Sequence, residues 1–337
     1  MDMDNGVDCC SNYFALHTYQ VKSAIAFFIY NRPHLTQKIF AKIAEVRPRK
    51  LFIIADGAKP FHKDQELCKK TREIVDHVPW NCEVVRIYSE TNLGCKNRVA
   101  SGVTEVLSRE NEIIILEDDI FPHISFFRYC DELLERYRDQ PQIMMIAGTN
   151  FFKISHPHYS YFFSRYPGIW GWATWRRAWE RYDVDIKDWP LRRRSKDFTK
   201  FFINSIEAKI FTTLWDDVYY DNFDTWDYQW DYCRFFSQGI GIIPSENLVC
   251  NIGFGEHATH TKNSDNFLAK IPLSSLPFPL IHPQIDSISR FLDYDDVYFR
   301  QLLYRPPWKI PLSILKKKVK RFLQQSSSSL DKAKPEC

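Results

Sequence analysis

No Cys-x-x-Cys pair occurs in this chain, and its nine cysteines are scattered and odd in number. That fits reduced thiols in a reducing compartment better than a disulfide framework or a zinc site. The glycine patterns of phosphate binding are missing too. Neither GxGxxG nor GxxxxGK[ST] is present, so neither a dinucleotide fold nor a P-loop is supported. Long apolar runs are absent; near the start the longest, Ala24 to Tyr30, falls far short of a membrane span. The first twenty residues are polar and acidic and carry no visible secretory signal. Charge of one sign is not in excess: the net value of +3 argues against a protein that coats nucleic acid. There is no internal repeat. The expectation is a cytoplasmic protein.

What is present is a soluble globular composition rich in aromatics, with Phe 26, Tyr 17 and Trp 10. Such side chains build cores, and in clefts they also stack on sugars and bases. At 337 residues the chain exceeds the usual single domain, so one large or two intimate domains are expected. Residues 1–22 read as a loose extension. From Ser23 strands and helices alternate: strands at 24–30, 51–55, 83–88 and 113–116, helices at 33–46, 63–77 and 94–108. This alternation predicts a doubly wound, mainly parallel sheet. A helix to about Arg138 and a strand at 143–147 follow. Beyond 150 aromatics crowd the chain, with helices predicted over 174–182, 198–211 and 226–237 and a hairpin or edge strands over 240–250. After Ser264 the sequence is Pro-rich and ends in a basic stretch at 316–321 and a serine run.

The most informative stretch is Ile113-Ile114-Ile115-Leu116-Glu117-Asp118-Asp119. The apolar run reads as a strand buried on both faces. Three acids at its carboxyl end repel one another unless something cationic sits among them. Ligands of open α/β sheets bind at those strand ends. A divalent metal carrying a phosphorylated ligand meets both conditions, because hard cations take carboxylate oxygens and share phosphate oxygens. The plainer alternative is a charged turn capping the next helix.

Two other strand ends are polar: Asn31-Arg32 and Asp56-Gly57. Parallel neighbours would bring all three to one rim, which then describes a nucleotide-diphosphate pocket. Asp56 is also an ordinary Asp-Gly turn residue. Arg32 lies at a helix start, where a cation is disfavoured, which raises the functional reading. Asn92-Leu93-Gly94-Cys95-Lys96 precedes a helix, and a glycine there with a nearby lysine can approach phosphate.

In this order, Tyr-Asn-Arg-Pro, Asp-Gly, Asn-Leu-Gly and Glu-Asp-Asp-Ile resemble the motifs of nucleotide-sugar glycosyltransferases of the GT-A fold. Similarity is greatest to N-acetylglucosaminyltransferase I and its bacterial relatives, over roughly Ser23 to Thr261. The acidic triplet is similar to that family's DXD-like metal motif. Pro167 to Trp172 looks like its aromatic acceptor-side loop, Trp226 to Trp230 like its base-bearing segment, and Gly253 to His260 like its closing C-terminal loop. The resemblance implies an α/β, GT-A (Rossmann-like) mixed sheet flanked by helices, with a nucleotide-sugar half at 23–147. An aromatic-rich acceptor half would occupy 148–263 of the same domain, with a C-terminal extension at 264–337.

Carried over by residue, it implies that Asp119 holds Mn²⁺ or Mg²⁺, with His260 as a further candidate ligand. Asp118 would meet the ribose, Glu117 the donor sugar, Arg32 the nucleotide and Asp56 the uracil; Asn31, Asn92 and Lys96 complete the donor side. Asp227 would be the general base, with Asp224 and Asp231 as rivals. Trp170, Trp172 and Trp226 are candidates for the acceptor side, the alternative for each being the core. A single carboxylate that deprotonates the acceptor hydroxyl gives one displacement and inversion. The expected partners are a UDP-sugar and a glycan or lipid-linked saccharide. The basic stretch at 316–321 is a candidate contact with an anionic membrane, or simply a solvated end.

Two other classes compete. A sugar-phosphate nucleotidyltransferase needs a Gly-rich loop after the first strand, and Tyr30-Asn31-Arg32-Pro33 has no glycine. A non-catalytic carbohydrate-binding protein accounts for the aromatics but not for three polar strand ends on one rim.

Overall fold

The protein is described here from a computed structural model, over residues 19–155, 158–221, 223–254, 267–283 and 292–304. Strand β1 (Ala24–Ile29) leads through helix α1 (Pro33–Val46) to β2 (Lys50–Ala55), then α2 (His62–Ile74), β3 (Glu83–Tyr88), α3 (Gly94–Arg109) and β4 (Glu112–Glu117). Next come β5 (Ile120–Pro122), α4 (Ile124–Arg136), β6 (Ile143–Ala147), β7 (Tyr161–Ser164) and β8 (Trp172–Trp175). Helices α5 (Arg176–Trp179), α6 (Trp189–Arg192), α7 (Ser205–Tyr220) and α8 (Asp227–Phe236) precede β9 (Ile240–Pro244), β10 (Val249–Asn251) and α9 (Leu292–Tyr298).

Eight strands form one sheet in the order β3-β2-β1-β4-β8-β6-β9-β7. Strands β1 to β4 run parallel, β8 inserts antiparallel between β4 and β6, and β7 is antiparallel at the far edge. The carboxyl ends of β1, β2, β4, β6 and β9 therefore share one rim. Side chains alternate across each strand. Ile25, Phe27 and Ile29 pack on one face with α1 and α4, whereas Ala26 and Phe28 pack on the other with α3 and α8. Burial on both faces explains why these strands read as continuous apolar runs. A separate aromatic cluster, including Trp189, Phe202, Phe211, Trp215 and Phe235, joins α6, α7 and α8. Among the described residues, no helix is long and apolar enough to cross a membrane.

The first half follows the expected order closely. Three differences lie beyond it. The predicted helix over 174–182 begins as strand β8, because Trp172-Ala173-Thr174-Trp175 pairs with β4 and only Arg176–Trp179 is helical. The predicted helix over 198–211 is a 3₁₀ turn at Phe198–Phe201 followed by α7, which starts where the Asn204 side chain caps the amides of Ile206 and Glu207. The hairpin or edge strands predicted over 240–250 split: β9 joins the main sheet, while β10 pairs with β5 in a two-stranded ribbon. The ribbon carries the chain after Asn251 back over the end of β4.

The segment after Ser264 is more integrated than its composition suggests. Leu276, Phe278 and Leu280 belong to the main core, and Tyr294 is fully buried. Ser160 donates its amide to the carbonyl of Ile281, and Ile281 donates back to the Ser160 hydroxyl.

Candidate functional site

Asp118 and Asp119 stand at the rim just past β4, both buried. The cation among them is the Arg32 guanidinium, 2.7 Å from Asp119 and 3.3 Å from Asp118. It reaches them because β1 and β4 are adjacent parallel strands, with Phe28 opposite Glu117. The Tyr30 amide also donates to Asp118, at 3.2 Å. One guanidinium does not neutralise three carboxylates. Burial first, then the charges of Asp119 and Asp118, hold the Glu117 carboxyl above the ordinary range; burial also raises Asp118, against the pull of Arg32. Each acid also strengthens the hold of Arg32 on its proton.

Asp227, the first residue of α8, acts on Glu117 by charge. Its carboxylate accepts from the Thr225 hydroxyl and the Tyr228 amide. Burial raises the Cys95 thiol pKa, and the charges of Glu117, Asp224, Asp227 and Asp119 raise it further. The acids at the end of β4 and at the start of α8 are thus near enough to act on one another by charge. Asp224 takes a different part, accepting from the Lys96 amide at 2.9 Å at the start of α3. Asp231 pairs with the buried Arg234.

Several expected contacts move elsewhere. Asp56 accepts from the amides of Gly57, Leu93 and Gly94 and from the Asn92 side chain, all within 3.1 Å. A carboxylate has about four lone-pair sites, so these donors fill it and its direct bond to uracil gives way to building the turn before α3. That turn needs Gly94, whose φ of +77° suits glycine. Asn92 also reaches Tyr30 and the Gly57 carbonyl. Asn31 donates to Asp64 rather than to the acid triplet. Lys96 is buried, and its ammonium lies 3.7 Å from Asp185, away from the acid triplet.

Trp172 and Trp226 are core residues. They stack at 5.3 Å inside a cluster with Trp179 and Trp230, and each is at most 3% exposed. That corrects their acceptor-side reading: Trp172 sits mid-sheet, where β8 places it between two neighbours. Trp170 alone of the three stays partly exposed, edge-on to Phe151 at 5.4 Å and to Phe254 at 5.8 Å. His260 and the basic stretch at 316–321 lie outside the described residues.

Two participants, Asp64 and Cys95, have no role assigned from the sequence. Asp64 organises the end of β1 by accepting from Tyr30, Asn31 and the Lys59 amide. Cys95 reads as an isolated thiol. Gly253 presses on the site: a Cβ there would meet the Asp119 carboxylate at 2.5 Å. The sequence marks this segment through the resemblance of Gly253 to His260 to a closing C-terminal loop, but not through any contact with Asp119.

Among the described residues, no three His, Cys, Asp or Glu side chains gather as a protein-only metal cage. The donor set still suits a hard cation. Magnesium-type ions are commonly held by one or two carboxylates plus substrate phosphates, and Asp118 and Asp119 stand side by side just past the end of β4.

No protein-family model matches the chain, and no curated protein does. Among solved structures, a crystal structure of UDP-glucose pyrophosphorylase complexed with UDP-glucose is similar over 48% of this chain and 78% of its own. Its identity is 11% and the TM-score 0.27. A score of that size establishes neither a shared fold family nor a ligand. What the chain shows by itself is a mixed α/β architecture with a mostly parallel eight-stranded sheet, so the resemblance to N-acetylglucosaminyltransferase I rests on its motifs alone.

Proposed function

We propose that this chain is a glycosyltransferase of GT-A type that moves a sugar from a UDP-sugar to a hydroxyl of a glycan or lipid-linked saccharide. What supports the reading is the charge cluster at the rim: Glu117 ends β4, Asp118 and Asp119 follow it, Arg32 bridges the two aspartates, and Asp227 of α8 acts on Glu117 by charge. On this reading the acids at β4 and Arg32 would take a diphosphate and its cation, and Asp227 would meet the acceptor. Asp119, with Asp118 beside it, would hold Mn²⁺ or Mg²⁺, which supplies positive charge against the leaving diphosphate. Arg32 is then placed to bind that diphosphate directly. Asp227 takes the proton of the acceptor hydroxyl as its oxygen attacks the anomeric carbon. The bond to the diphosphate breaks on the opposite side, so the product has the inverted anomer.

The test is product analysis with a panel of UDP-sugars in Mn²⁺. The proposal expects UDP and free or transferred sugar. Release of UTP and sugar 1-phosphate on adding pyrophosphate would make the protein a nucleotidyltransferase, and the absence of metal-dependent UDP binding would leave a carbohydrate-binding protein.

A further inference from the structure

Between α6 and α7 the chain wraps an aromatic cluster and turns a different set of side chains outward. Trp189, Phe198 and Phe202 belong to the cluster, whereas Leu191, Ile203 and Ile206 are 77%, 52% and 46% exposed. The two arms of this excursion meet over one ring. The Arg192 guanidinium lies 4.5 Å from Phe236, at the end of α8, and the Phe201 ring lies 4.9 Å from it. Leu191, beside Arg192, and Ile203, two residues after Phe201, are thus brought to one region of the surface. Ile206 follows in the first turn of α7.

Cations surround these aliphatic tips. Residues 191–209 hold six, against the acids Asp197 and Glu207. Arg192 pairs with Asp188, Arg193 with Asp216 and Lys200 with Asp197. Glu207 is fully buried and faces Arg165 at 3.6 Å. Arg194, Lys196 and Lys209 are exposed and form no ion pair among the described residues. Exposed aliphatics among unpaired cations suit an anionic lipid surface, where headgroups attract the charges and the tips enter the boundary beneath them. A single-stranded nucleic acid is met by stacking faces, but Trp189, Phe198 and Phe202 are buried in the cluster. The core of a protein interface is depleted in lysine, and here lysines stand among the aliphatics.

We propose that the surface formed by Leu191, Arg194, Lys196, Ile203, Ile206 and Lys209 docks the protein on an anionic phospholipid membrane. Phe236 and Asp227 are the last and first residues of α8, about 14 Å apart along a helix. The surface therefore stands about one helix length from the base proposed above. That the membrane presents a lipid-linked acceptor rests on that proposed function; membrane binding does not.

The experiment is sedimentation of the full chain with vesicles of phosphatidylcholine, alone or with about a third phosphatidylserine. Association with the anionic vesicles should be at least about tenfold tighter, a difference that high salt weakens. Arg194→Gln with Lys196→Gln and Lys209→Gln should bring the two vesicles to similar affinity. Leu191→Gln with Ile203→Gln and Ile206→Gln should weaken binding to the anionic vesicles several-fold, which a purely electrostatic contact does not show. All six side chains are exposed, and melting curves run in parallel show that the fold is intact. Absence of vesicle binding, equal binding to both vesicles, an unchanged preference in the charge variant, or parental affinity in the aliphatic variant would each overturn the proposal. So would a preference abolished by Lys316→Gln, Lys317→Gln and Lys318→Gln alone, which assigns the contact to the basic stretch. UDP binding in Mn²⁺ is read in the same samples. Its absence beside intact vesicle binding counts against the transferase and leaves the docking surface standing; the reverse pattern strikes the surface alone.

Discussion

Asp119 is held from three sides: its carboxylate by Arg32, its carbonyl by the Ile252 amide, and its flank by the bare backbone of Gly253. A side chain so confined is suited to a fixed charge. Asp119→Ala is expected to abolish the metal dependence of UDP binding in a titration with and without Mn²⁺; equal affinity in both would reject its metal role. Asp227→Asn should leave UDP affinity within a few-fold and lower transfer by about 10²- to 10⁴-fold; near-normal turnover would move the base to another residue. Asp56 differs from both. Its loss strands buried amides at the start of α3, so Asp56→Ala should cost about 2–3 kcal/mol in urea unfolding; a change under roughly 0.5 kcal/mol would show that its four donors find other partners. The acids themselves were legible, because an apolar run ending in carboxylates marks a strand end. The Arg32 pairing was not, because 87 residues separate Arg32 from Asp119 and only the β1–β4 register brings them together. Asp56 was legible as a turn residue, but its number of donors depends on where α3 begins.

Elements were legible where period and punctuation agree. Pro33 opens α1, and apolar runs bounded by polar turns mark β1 to β4. They failed at β8, where Trp172-Ala173-Thr174-Trp175 is too short to show a period and is followed by helix formers. Its strand state comes from pairing with β4 on one side and β6 on the other. The same placement turns Trp172 from an acceptor platform into core. Trp172→Ala should therefore destabilise by about 3–5 kcal/mol in chemical denaturation. A cost below about 1 kcal/mol, combined with weaker saccharide binding, would return it to the acceptor side. Ribbon β5–β10 was missed for a related reason: its partners lie far apart in sequence, and β10 has only three residues. Its consequence is local, because it brings Gly253 onto Asp119. Gly253→Ala should raise the metal concentration needed for UDP binding, since the segment must shift to admit a methyl group at 2.5 Å from the carboxylate.

Over the whole molecule, one sheet joins regions that composition separates. Strands β1 to β4 continue through β8 into β6, β9 and β7, so the strands β6 to β9 of the aromatic half belong to the same sheet as the first half. Of the described residues after Ser264, Ile281 bonds to Ser160 beside the far edge strand β7. Leu276, Phe278 and Leu280 are at most 8% exposed, among the residues of the main core. Burying three such side chains contributes roughly 5–9 kcal/mol at about 1.5–3 kcal/mol each, comparable with the whole stability of a typical domain, about 5–15 kcal/mol. Pro-rich sequence concealed this, because a segment without regular period still buries apolar side chains when its backbone bonds to ordered chain nearby, as Ile281 does to Ser160 just before β7. A chain ended after residue 266 should thus lose cooperative thermal unfolding by circular dichroism and bind a hydrophobic dye. If it instead melts in one transition near the temperature of the full chain, the segment is a dispensable covering, and the edge at β7 must be stable without it.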